Sequence, residues 1–165
     1  MRHIIAVELQ NEAGALTRVA GLFSSRGYNI ESLSVAPTED PSMSRLTLVT
    51  TGNDAAIAQI LAQLQKLIDV VDVTDMTRGE HIERELLLLK LAVSESSLAR
   101  LTVLVTEAGA RILSAQLADF VIELTSSEAQ VNRFIAAASQ FGEVVDVVRS
   151  GALGLSLRTR ASSGA

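Results

Sequence analysis

Cysteine is absent from the 165 residues, which excludes disulfide scaffolds, thiol catalysis and cysteine metal sites. Histidine is nearly absent too. His3 and His81 are the only two, far apart in sequence, and each reads as a surface residue rather than half of a metal site. No apolar run approaches the roughly 18 residues of a membrane span, and the first residues, MRHIIAVELQ, lack the long apolar core and small-residue cleavage site of a secretion signal. A cytoplasmic protein is therefore expected. Fourteen basic residues are scattered among nineteen acidic ones for a net charge of −5, so no basic footprint for nucleic acid is present. No glycine-rich phosphate loop and no nucleophile paired with a base stand out, which leaves catalysis without evident residues. Glu12, Glu31 and Glu39 read as solvated turn and surface carboxylates.

What the sequence does contain is periodicity. In HIIAVEL, residues 3–9, Ile5, Val7 and Leu9 alternate as in a half-buried strand. Leu16, Val19, Ala20 and Phe23 then follow helical spacing, which Gly27 ends. Residues 30–36 and 43–51 are strand-like. Both prolines of the chain fall between them in PTEDPS, the composition of an exposed hairpin loop. Ile57, Ile60, Leu61, Leu64 and Ile68 mark a second helix, and VVDVTDM, residues 70–76, a closing strand. The order is βαββαβ, the ferredoxin-like arrangement of two helices on a four-stranded antiparallel sheet.

After the polar stretch TRGEHIER, residues 77–84, which reads as a linker or hinge, the order repeats. ELLLLKLAV is a strand; Leu98, Leu101 and Val105 share a helical face; ARILSAQ and DFVIELTSS form a hairpin. Val131, Phe134, Ile135 and Ala138 mark the fourth helix, and EVVDVVRS the last strand. The expected organisation is an α+β protein of two tandem ferredoxin-like domains, 1–77 and 84–157, with a disordered tail at 158–165. A unit of roughly 75 residues has a marginal core and open sheet edges, so a dimer or larger assembly is expected. An RNA-binding sheet of this order would stack bases on central-strand aromatics. MSRLTLVTT, residues 43–51, contains none, and aromatics total 3%.

The two halves differ at their first turn. Gln10-Asn11-Glu12-Ala13-Gly14-Ala15-Leu16 in the first becomes Ser94-Glu95-Ser96-Ser97-Leu98 in the second, without glycine. Glycine at a helix start admits a ligand to unpaired backbone N–H groups, which suit a carboxylate or phosphate. The alternative is that Asn11 or another polar residue caps the helix and Gly14 merely turns the chain. Gly27-Tyr28-Asn29-Ile30 likewise offers either an amide beside a strand edge or a plain C-cap.

The pattern NE-x-GAL-x-R, GLFS-x-RG-x-NIESL and VAPT-x-D, extended by ERELLLLK and RSGALGLSL, resembles the small, regulatory subunit of bacterial acetolactate synthase (acetohydroxyacid synthase), whose N-terminal half is an ACT domain. The resemblance is weakest over about Ser94 to Ser114 and in the tail. It implies a chain without catalytic, metal or cofactor sites of its own. A separate large subunit would carry thiamine diphosphate, magnesium and FAD, and this chain would activate it and confer feedback inhibition by valine. Leucine or isoleucine act in some relatives, and the sequence leaves the preference open. The resemblance places the effector between the ACT domains of a homodimer, held by Asn11, Gly14, Ala15 and Leu16 of one chain and by Asn29 and Ile30 of the other. It implies no contact with nucleic acid or membrane. The rival reading is a stand-alone amino-acid-sensing ACT module that regulates another enzyme or a transcription factor.

Overall fold

The computed structural model describes residues 1–157; the tail expected to be disordered lies outside the described residues. The chain divides into two compact units: Met1–Ile82 with the described residues from Ala152 onward, and Glu83–Gly151. Both have the expected βαββαβ order.

In the first unit, β1 (Arg2–Gln10), α1 (Ala15–Ser25), β2 (Ile30–Pro37), β3 (Met43–Thr51), α2 (Asp54–Leu64) and β4 (Val70–Asp75) form a sheet of order β2-β3-β1-β4. Every pairing is antiparallel. Ile5, Val7 and Leu9 of β1 and Leu46 and Leu48 of β3 face the helices. They pack on Ala15, Val19 and Phe23 of α1 and Ile57, Ile60 and Leu64 of α2. Fully burying each large side chain is worth about 1.5–3 kcal/mol, which makes this face the main support of the unit. Two expected core positions are corrected. The buried stripe of α1 runs through Ala15 rather than Leu16, which is 38% exposed. Ile68 is 87% exposed, because α2 stops at Leu64 and turns through Leu67 to deliver Val70 to β4.

The second unit repeats the plan with β5 (His81–Val93), α3 (Glu95–Glu107), β6 (Arg111–Gln116), β7 (Asp119–Ser126), α4 (Glu128–Ala138) and β8 (Gly142–Arg149), in sheet order β6-β7-β5-β8. Its core joins alternate residues Leu87, Leu89, Leu91 and Val93 of β5 to Phe120 and Ile122 of β7 and to Leu101, Val131 and Phe134 of the helices. The expected linker at 77–84 is only partly a loop. Strand β5 already begins at His81, and the positions that continue its inward face are the polar His81, Glu83 and Glu85, which hide the alternation in the sequence.

The expected second domain, 84–157, differs from the compact unit at its end. A ninth strand, β9 (Leu153–Ser156), belongs to the first unit. Ala152 is buried with Ile4, Ala6, Val49 and Met76 on the sheet face away from the helices. Ser32 Oγ accepts from Ala152 N–H at 3.3 Å, Thr47 Oγ1 accepts from Gly154 N–H at 3.4 Å, and Arg45 donates to Gly154 C=O at 3.3 Å. The strap lies close because its inward residues are small. A Cβ built on Gly154 would stand 2.3 Å from Met76 Cε, and Met76 is 1% exposed. Gly154→Ala is therefore expected to lower stability in urea unfolding by about 1–3 kcal/mol. In a Met76→Ala background, where the space is free, the same change should cost almost nothing; equal costs in both backgrounds would refute the contact.

Candidate functional site

Helix α1 is built differently at its start from the other three helices. α2, α3 and α4 have Asn53, Ser94 and Ser127 at the N-cap in extended backbone, and each carries an acid in its first turn, Asp54, Glu95 or Glu128. α1 has Gly14 at the N-cap with φ 89° and no first-turn acid. Such a φ suits glycine and strains most other residues. Asn11 does not cap the helix. Its N–H donates to Ser42 C=O at 2.7 Å and its Nδ2 to Pro41 C=O at 3.0 Å, which pins the β2–β3 loop to the turn. That leaves Asn11 Oδ1 able to accept.

The open donors are fewer than expected. Ala15 N–H already donates to Glu12 C=O at 3.2 Å, and Arg18 N–H to Gly14 C=O at 3.0 Å. The amides of Leu16 and Thr17 have no partner among the described residues. Ala15 is 2% exposed, so its side chain serves the core and only backbone there faces outward. Leu16 is exposed beside the turn.

Arg18 and Asp69 are the residues that sequence reasoning missed. Arg18 Nε donates to Asp69 Oδ2, and Arg18 Nη1 lies 3.0 Å from the point a Gly14 Cβ would occupy. A guanidinium thus stands over the start of α1, where free amides and the positive helix end already favour an anion. The hydrogen bond to Arg18 holds the buried Asp69 carboxyl below its usual range, and the same bond raises Arg18. Arg18 was legible as a basic residue one turn after Gly14. Asp69, 51 residues from its partner, had no local signal.

The other end of α1 resolves the second ambiguity. Gly27, φ 71°, donates to Ser24 C=O at 3.1 Å and Tyr28 N–H to Phe23 C=O at 3.0 Å, the paired bonds of a Schellman cap. The second unit does the same at α3, where Gly109 donates to Thr106 and Ala110 to Val105. Gly27 is thus a fold requirement shared by both halves, whereas Gly14 is peculiar to the first. Asn29 takes no part through its side chain, which is exposed and makes no hydrogen bond among the described residues. Its carbonyl accepts from Thr50 Oγ1 at 2.7 Å, and half-buried Ile30 follows at the start of β2. The six predicted residues therefore form two groups, Asn11–Leu16 and Asn29–Ile30, at opposite ends of an 11-residue helix, ~16 Å apart by its rise.

Two tandem ferredoxin-like units, the first with a glycine-opened helix start, define a tandem ACT-type protein. Residues 5–72 match the model of the AHAS small subunit-like ACT domain and residues 84–158 that of the small subunit of acetolactate synthase. The chain is 41% identical to the acetolactate synthase isozyme 3 small subunit of Escherichia coli K12, over 94% of this chain and 96% of that one. It is 42% identical to the acetolactate synthase small subunit of Haemophilus influenzae, over 94% and 96% of the respective chains. The crystal structure of the acetolactate synthase small subunit from Thermotoga maritima superposes with a TM-score of 0.85 at 30% identity, covering 96% of this chain and 99% of that one. The chain belongs to the acetolactate synthase small subunit family. Among the described residues no helix is long and apolar enough to cross a membrane.

The Arg18–Asp69 pair gives a pH signature. A carboxyl depressed in the folded state contributes stability that is fully present above its unfolded value of about 3.9 and lost as pH falls through the lower folded value. The stability difference between wild type and Asp69→Asn in urea unfolding should therefore stay constant from neutrality to about pH 5 and shrink below about pH 4. A difference that does not change across that window would show the pair to be energetically idle.

Proposed function

We propose that this chain is the regulatory partner of a separate catalytic acetolactate synthase chain, raising its activity and making it sensitive to valine held between two copies of the first unit. The observation that carries the shared site is the separation of the two residue groups along α1, since one small amino acid cannot span ~16 Å within a single chain. Strand β2 lies at an edge of its sheet. Its last residue, Pro37, is paired with Ser44, next to the Met43 that faces Gln10, so β2 ends where the Asn11 turn begins. Antiparallel pairing of two β2 edges about a two-fold axis then sets the start of one β2, with Asn29 and Ile30, beside the Asn11–Leu16 turn of the other copy. Two equivalent pockets result.

In each pocket the valine carboxylate meets the Leu16 and Thr17 amides and the Arg18 guanidinium. Its ammonium is received by the amide oxygens of Asn11 and Asn29. The isopropyl group rests on Leu16 of one chain and Ile30 of the other. These terms, less the cost of association, point to micromolar affinity. Thiamine diphosphate, magnesium and FAD are assigned to the catalytic chain. Inhibition requires that valine bind one arrangement of the assembly better than another.

Calorimetry with valine, leucine and isoleucine tests effector and preference together. Gly14→Asp introduces a carboxylate that captures Arg18 and repels the ligand, so a folded Gly14→Asp homodimer should bind valine at least about tenfold more weakly, as should Asn29→Ala. Mixing the two variants concentrates both defects in one pocket and restores about half of the valine sites, as expected of a site shared between two chains. A verified heterodimer without recovered binding would place the pocket within one chain.

A further inference from the structure

We propose that the first unit carries a second ligand site, between α2 and the His3 end of β1, that takes a small apolar α-amino acid through its ammonium, carboxylate and side chain. Against the surface position expected for it, His3 is buried to 3% exposure. His3 Nε2 is buried with no hydrogen-bond partner, unlike nearly all buried polar groups. Its other ring nitrogen lies 3.5 Å from Thr77 Oγ1, which accepts from Ile4 N–H at 3.1 Å. With the ring proton on the Thr77 side, Nε2 keeps an unshared lone pair, and His3 lines a cavity of about 200 Å³.

The rest of the cavity wall supplies the complement of a zwitterion. Asp54 Oδ1 is 3.7 Å from His3 Nε2, too far for a direct hydrogen bond but suited to a group that donates to both. Asp75 also lines the cavity, with Oδ1 held by Thr77 N–H at 2.9 Å. Two carboxylates against the single cation Arg78 leave the site net negative, which selects an ammonium over an anion. Arg78 Nη2 donates to Asp54 Oδ2, and the guanidinium keeps further donors for a ligand carboxylate. Ile57 and Leu61 of α2 form an apolar wall. The volume is below the ~300 Å³ at which drug-sized pockets begin, so only a molecule of few heavy atoms fits. A metal ion does not suit the wall, because Arg78 faces it and no group of three ligating side chains is present among the described residues. The site stands two strands from the β2 edge and shares no residue with the interface pocket.

Two histidines in the chain make the test direct. In full-length Gly14→Asp protein at fixed pH, the histidine ring resonances are followed by NMR, with His81→Gln assigning the His3 signal. Valine, isobutylamine and isovalerate are the probes. Valine should shift the His3 signal saturably, on the order of millimolar affinity. Isobutylamine should bind more weakly, and isovalerate should leave the signal unmoved. Asp75→Asn, which keeps the acceptor for Thr77, should weaken valine roughly tenfold. An unmoved His3 signal, a response equal in Asp75→Asn, or an equal response to isovalerate would overturn the proposal. A response present in wild type but lost in Gly14→Asp would assign it to the interface pocket and overturn it as well. The interface reading itself is judged by calorimetry, so failure of one leaves the other's readout intact.

Discussion

The candidate site depends on a side chain that is missing. Gly14 turns the chain with a positive φ, and the space that a Cβ would claim is occupied by the Arg18 guanidinium. Arg18 stays there because Asp69, buried at the end of the α2–β4 connection, accepts from its Nε. The backbone C=O of Asp69 in turn accepts from Gln10 N–H at 2.8 Å, so the turn, the arginine and the aspartate form one closed arrangement. Replacing any member changes the field at the start of α1, where the amides, helix dipole and guanidinium share one sign and the Asp69 carboxylate opposes it.

Duplication separates what the fold requires from what one copy has specialised. Both units close their first helix with a glycine in the left-handed conformation and the same pair of hydrogen bonds, because the chain must reverse there to enter the next strand. Only the first opens its first helix with glycine. The second unit uses Ser94 and Glu95 at that point, and a first-turn carboxylate disfavours an anionic ligand there. The same order of elements thus yields one unit with an anion-ready helix start and one without.

The first unit also covers the sheet face that a ferredoxin-like domain leaves open. Ala152 and Gly154 let the strap lie on Ile4, Val49 and Met76, and hydrogen bonds donated by its N–H groups to Ser32 and Thr47 register it over β2 and β3. β1 is consequently buried on both faces, which accounts for its unbroken run of buried residues from His3 to Val7. It is also the strand whose two ends reach the two candidate sites, Gln10 at one and His3 at the other.

Helix and strand order, the duplication, the specialised Gly14 turn and the family resemblance were legible in the amino-acid sequence, because each is written in residues near one another: alternation in VVDVTDM, a 3.6-residue stripe through Val19 and Phe23, a glycine beside a helix start. Contacts between distant segments were not legible. Nothing local marks Asp69 as the partner of Arg18, or shows that ALGLS packs on the open face of the first sheet. Nor does the sequence around His3 reveal that α2 and the turn at Thr77 bury its ring. Leu16 and Ile68 fit the helical period yet lie outside the core, because the period fixes only which residues share a face. Which face is buried, and where a helix must stop to deliver the next strand, is decided by packing against the sheet, and only the tertiary structure brings those partners together.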